Sequence, residues 1–162
     1  MSRGSNTRFF VPPEEKTHLM PEGLVSPNPQ TVLIVEDDPV LANMLKDLLQ
    51  PRNFLVAQVT GGAEGVQKIM AADFDVILCD MVMPGFPGDM FYRAVERARP
   101  HLCKRFIFMT GHTGDMKIDA FIREVRGLML WKPFQVHEVL EAIEMVTRKT
   151  SSSGGRVDTR TG

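Results

Sequence analysis

Two hydrophobic periods alternate along the middle of this chain. Short apolar runs recur at "TVLIVE" (31–36), "FLVAQV" (54–59), "DVILCD" (75–80), "RFIFMT" (105–110) and "GLMLW" (127–131). Runs of this length, rich in Val, Ile, Leu and Phe and bounded by Gly, Pro or Asp, predict buried strands. Between them the spacing becomes helical. Pro39 opens a helix with Leu41, Met44, Leu45, Leu48 and Leu49 along one face; Asp38 is its natural N-cap, and Pro51 ends it. "GGAEGVQKIMAAD" predicts a short helix with Val66, Ile69 and Met70 inward. Gly88 to Ala98 predicts a third, with Phe91, Ala94, Val95 and Ala98 apolar and Arg93, Glu96 and Arg97 outward. A helix near 115–125 is more weakly patterned. The segment 136–146 is strongly amphipathic, with Val136, Val139, Leu140, Ile143 and Val146 on one side.

Five strands alternating with five helices predict an α/β fold, a doubly wound parallel sheet covered on both faces. In such sheets functional groups gather outside the carboxyl ends of the strands. The flanks differ in character. Residues 1–30 hold Pro12, Pro13, Pro21, Pro27 and Pro29 and read as a Pro-rich arm, with "RFFV" (8–11) as a short adhesive strand. Residues 148–162 read as a flexible tail. The folded block is 31–147.

Composition narrows the partners. The 162 residues are 43% hydrophobic with a formal net charge of −1, which gives no electrostatic ground for a nucleic-acid or membrane partner. Cys79 and Cys103 form no disulfide framework, and Cys79 reads as a buried apolar residue, which suits a reducing cytoplasm. No apolar run approaches the roughly 20 residues of a spanning helix.

The strand ends carry the candidate chemistry. Strand one ends on Glu36-Asp37-Asp38, strand three on Asp80, strand four on Thr110 before Gly111-His112, and strand five on Trp131-Lys132-Pro133-Phe134. Each alone has a plainer reading: a turn acid, a solvated helix cap, a surface lysine, a loop histidine. Jointly, they put acids, a hydroxyl and an amine on one rim. Clustered carboxylates repel one another, and a hard divalent cation such as Mg²⁺, or Mn²⁺ in its place, relieves that repulsion. Lys132 and Thr110 suit phosphoryl oxygens, and Asp80 suits a carboxylate nucleophile forming an acyl phosphate.

The motifs "LIVEDDP", "DVILCDMVMPGFPG", "FIFMTGH" and "LWKPF", in that order, resemble the receiver domain of two-component response regulators. The resemblance covers about 31–147. It implies a flavodoxin-like sheet of order 2-1-3-4-5 and an Asp80 that accepts a phosphoryl group from a partner's phosphohistidine. It implies that Glu36 and Asp37 place the metal with Asp80 and the Val82 backbone carbonyl, while Asp38 serves as helix cap. Thr110 matches the switch hydroxyl, Lys132 the family lysine, and Lys132–Pro133 a cis peptide. The sequence departs from the pattern at Met129, three residues before the lysine, where many receivers carry a switching aromatic. Val82 and His112 occupy the positions that govern phosphate lifetime. Val82 cannot orient a water, which predicts slow hydrolysis of the acyl phosphate.

The resulting expectation is a cytoplasmic receiver with no visible output domain after Arg148. It would act by protein contacts with a histidine kinase or histidine phosphotransfer protein, and it would signal without being a conventional enzyme. "RFIFMTGH" with "LMLWKPF" looks most like receivers of hybrid histidine kinases, and "RGSNTRFFVP" resembles the closing strand of a kinase ATP-binding domain. The arm, or the face of helix four, strand five and helix five, offers a route to a homodimer. Alternatives are a non-switching scaffold or phosphate sink, and a small Mg²⁺-dependent phosphohydrolase. Such hydrolases usually carry a second acid where this chain has Val82.

Overall fold

The computed structural model describes residues 28–112 and 114–152. Five strands form one parallel sheet: β1 (Gln30–Val35), β2 (Phe54–Val59), β3 (Val76–Asp80), β4 (Phe106–Thr110) and β5 (Leu128–Trp131). Their spatial order is β2-β1-β3-β4-β5. The helices are α1 (Pro39–Leu49), α2 (Gly62–Ala71), α3 (Gly88–Ala98), α4 (Met116–Val125) and α5 (Val136–Ser152). Short 3-10 helices at Gln50–Arg52 and Pro100–Arg105 complete two of the connections.

Strand alternation sorts the core into two layers. Leu33, Val35, Ile77, Cys79, Phe106 and Phe108 face α2, α3 and α4, where they meet Ile69, Phe91, Val95, Ile118 and Phe121. Val32, Ile34, Val76, Leu78, Ile107 and Met109 face α1 and α5, where they meet Leu45, Leu49, Val139 and Ile143. The first layer is aromatic. Tyr92 packs edge-on to Phe106 and Phe121, with centroids 5.1 and 5.5 Å apart, and Phe108 lies 5.4 Å from Phe121.

Local chemistry fixes the helix starts nearest the rim. Asp38 caps α1, its Oδ1 accepting from Val40 N at 2.9 Å, with Pro39 at the first helical position. Asp115 caps α4 in the same way, accepting from Lys117 N and Ile118 N. α4 ends at Arg126, which adopts φ +53, and Gly127 N then donates to Ile122 O. Gly88 opens α3 because nothing larger fits: a Cβ there would lie 2.4 Å from the Asp80 carbonyl oxygen.

Several expectations shift. β1 starts one residue into the presumed arm, and Glu36 lies past its end. α5 runs to Ser152, so residues 148–152 are its last turns rather than the start of a tail. Met44, Met70 and Val136, assigned to buried faces, are more than half exposed at 51%, 58% and 52%. Each sits at the margin of its apolar stripe, where the sheet no longer covers the helix. Ala98 is exposed, while Tyr92 fills the core beside Phe91. The segment "RFFV" and residues 153–162 lie outside the described residues.

Candidate functional site

Parallel pairing brings the strand ends to one level. Val35 pairs with Cys79, Asp80 with Met109, and Thr110 with Trp131. The residue after each of β1 and β5, and the last residue of β3 and β4, therefore border one depression. Glu36, Asp80 and Thr110 are buried there at 1%, 4% and 0% exposure, while Asp37 is open to solvent. One carboxylate oxygen from each of Glu36, Asp37 and Asp80 lies within 4.8 Å of the others. Three hard oxygen donors this close, one facing water, fit a divalent cation that retains part of its hydration shell.

Lys132 sits over the acids. Its Nζ donates to Glu36 Oε2 at 2.8 Å and lies 3.3 Å from Asp80 Oδ2. Its backbone N donates to the Thr110 carbonyl at 2.8 Å, which fixes the base of the side chain, and the Lys132–Pro133 peptide is cis. The other Glu36 oxygen accepts from Asp38 N at 3.1 Å. The other Asp80 oxygen accepts from Val82 N at 3.2 Å. Thr110 Oγ1 accepts from His112 N at 3.2 Å, so the turn after β4 orients the hydroxyl. Among the described residues, no fully buried side-chain polar atom lacks a partner.

The electrostatics record the crowding. Burial raises the Glu36 carboxyl to about 7, against the pull of the Lys132 hydrogen bond and the Asp38 amide. Asp80 is raised by burial as well, with Lys132 and the Val82 amide opposing. Burial works to lower Lys132, but the Glu36 hydrogen bond and the Asp80 charge outweigh it, and the amine is raised. The two neighbours of Lys132 therefore hold their protons longer than free carboxylates do, and the amine stays charged.

The expected residues divide into two groups. Glu36, Asp37, Asp80 and Lys132 converge, with Thr110 beside them. Val82 is 44% exposed on the loop after Asp80, and His112 is exposed, touching the site through its backbone. Met129 pairs with Phe108, two residues short of the rim, and packs against the α4-side core. With Trp131 it lines a shallow cleft shared with Asp119, Ile122 and Arg123 of α4. The Glu36–Lys132 pair, 96 residues apart in the chain, was not foreseen. The only hint was that both residues directly follow a strand.

Comparison with known proteins agrees with this geometry. A family profile described as the response regulator receiver domain matches residues 32–144. The chemotaxis protein CheY of Bacillus subtilis is 32% identical over 115 residues, covering 69% of this chain and 92% of that protein. The sensor kinase CckA of Brucella abortus is 25% identical over 121 residues, 74% of this chain but only 13% of the kinase. The chain likewise spans about half, 51%, of the transcriptional regulator ResD of Bacillus subtilis. Among solved structures, the receiver domain of sensor histidine kinase PA1611 from Pseudomonas aeruginosa aligns with a TM-score of 0.65 and 23% identity, over 74% of this chain and 98% of that one. That structure holds a magnesium ion in its active-site cleft. Fold order, acidic rim and family profile coincide: this chain belongs to the response regulator receiver domains of two-component signalling.

Proposed function

We propose that Asp80 is the phosphoacceptor, charged from a phosphohistidine on a histidine kinase or histidine phosphotransfer protein. The observation that carries this is the convergence of Lys132 Nζ on Asp80 and Glu36 inside an otherwise acidic depression. An Asp80 carboxylate oxygen attacks phosphorus, a P–O bond forms, and the P–N bond to the donor imidazole breaks. Lys132 leaves Glu36 for a transferred phosphoryl oxygen, and the Thr110 hydroxyl donates to another.

Glu36, Asp37, Asp80 and the Val82 carbonyl would hold Mg²⁺ or Mn²⁺, whose charge offsets that of the phosphoryl oxygens. Asp38 is committed to its helix cap and stays outside this set. Val82 offers no side-chain donor to a hydrolytic water, so the acyl phosphate is long-lived. The signal passes through protein contacts on the α4, β5 and α5 side, where Met129 takes the place of a switching aromatic.

Incubation with a phosphorylated kinase and Mg²⁺ should give one phosphoryl group per chain, absent in Asp80→Ala. Beryllofluoride with Mg²⁺ should move the backbone amides of Asp80, Thr110 and Lys132. Undiminished labelling of Asp80→Ala, or amides that beryllofluoride leaves in place, would overturn the assignment.

A further inference from the structure

The loop after β3, residues 81–87, leaves the rim and returns to α3. Backbone holds its ends: Met81 N donates to Met109 O at 2.9 Å, and Gly88 N donates to Met81 O at 3.2 Å. Its side chains point two ways. Met81 and Met83 are buried and line a cleft with Ile118 and Phe121 of α4. Val82, between them, is exposed, and its N–H donates to Asp80 Oδ1. The tip, Pro84 and Gly85, is exposed; Gly85 adopts φ +75, and Phe86 N donates back to Pro84 O at 2.9 Å. That turn sends Phe86 onto Gly62, the first residue of α2. The ring rests directly on the Gly62 backbone: a Cβ there would overlap Phe86 Cδ1 and lie 2.8 Å from Cε1. Phe86 is half-buried and packs with the core layer shared by α2, α3 and α4. The loop therefore reaches from α4 to α2, and Phe86 is its anchor at the α2 end.

We propose that Phe86 is a positioning residue for the divalent cation, with Gly62 as its seat. The ring holds the loop so that Val82 stays in place beside Asp80, and it acts through the loop backbone rather than by contact with the cation. A carbonyl ligand on an unanchored loop has to be ordered when the cation binds, and that lost conformational freedom comes out of the affinity. An anchored loop has met this cost in folding. The inference rests on the proposed role of the Val82 carbonyl as a metal ligand.

The test pairs two measurements on the full chain: amide hydrogen exchange of the metal-free protein, and a Mg²⁺ titration followed by Trp131 fluorescence. Phe86→Ala should speed exchange at Val82 and Met83 while β1 and β3 stay protected. It should also weaken Mg²⁺ binding about tenfold, the lower end of what loss of a supporting contact costs a metal site. Phe86→Leu, which keeps an apolar side chain on Gly62, should restore most of the affinity. Gly62→Ala, which fills the seat, should weaken Mg²⁺ binding by itself and add nothing in Phe86→Ala. A residue that only supports the fold would lower the urea midpoint and leave the Mg²⁺ affinity of the folded protein unchanged. Unchanged exchange at Val82 and Met83 in both Phe86→Ala and Gly62→Ala overturns the anchoring, and additive losses in the double variant overturn the shared seat. Faster exchange with unchanged Mg²⁺ affinity shows instead that Val82 is no ligand, and the proposal falls with that reading. A wild-type chain that takes no Mg²⁺ refutes the acidic site itself, and the proposal with it.

Discussion

Burial leaves Glu36 with a strongly raised carboxyl, and the consequences follow from the sign of that shift. Its folded value of about 7 lies above the ordinary 4.5, so the folded state keeps this proton longer than the unfolded chain does. Stability from this group is complete below pH 4.5 and is lost as pH rises from 4.5 to about 7, a change on the order of 3 kcal/mol. A cation takes only the ionised form. Mg²⁺ should therefore bind about tenfold more tightly at pH 8 than at pH 6, read from the fluorescence of Trp131 beside Lys132. A pH-independent affinity would contradict the burial of Glu36. The raised Asp80 carboxyl makes a second demand. Asp80→Asn removes a charge that burial disfavours, so the metal-free protein should gain stability in urea unfolding, and a loss would contradict the raised carboxyl. Mg²⁺ should shrink that gain, because it stabilises the wild-type acid cluster more than the variant.

The helices show how much of a packed element rests on single contacts. α4 inserts Ile118 and Phe121, each still 9% exposed, and is tied to α3 by Arg93. That guanidinium reaches Glu124 at 2.6 Å and lies 5.5 Å from the Phe121 ring centroid. The ion pair is solvent-exposed, so Arg93→Ala should cost no more than about 1 kcal/mol globally. Its local effect should be larger: amide exchange in α4 should accelerate while β1 and β3 stay protected. Exchange unchanged in α4 would mean that Ile118 and Phe121 hold the helix alone. At α3 the constraint is backbone against backbone. Gly88→Ala sets a methyl against the Asp80 carbonyl and should cost about 1 to 3 kcal/mol in thermal or urea unfolding, because neither chain segment can yield without moving Asp80.

For the whole molecule, the five strands and the parallel sheet covered on both faces were legible because each strand is a short apolar run closed by a polar residue, while the strand order came from the family resemblance. The chemistry at the strand ends was legible for the same reason, since parallel strands of similar length end at one level. What escaped was whatever depends on distance across the assembled surface. Met44, Met70 and Val136 obey helical periodicity, but periodicity does not say how far the sheet extends beneath them. Tyr92 was not among the apolar positions read for its helix, yet its ring joins Phe106, Phe108 and Phe121. The Lys132 contact with Glu36 needs all intervening strands in register, and no local pattern encodes it. The same contact orders the completion of the site. Glu36 follows β1 and Asp80 ends β3, but their lysine follows β5, the last strand of the sheet in chain order. A chain that has formed the sheet only through β4 holds a carboxylate cluster without its cation. Under the function proposed above, the site is therefore complete only when β5 is in place, because Lys132 then joins Glu36 and Asp80.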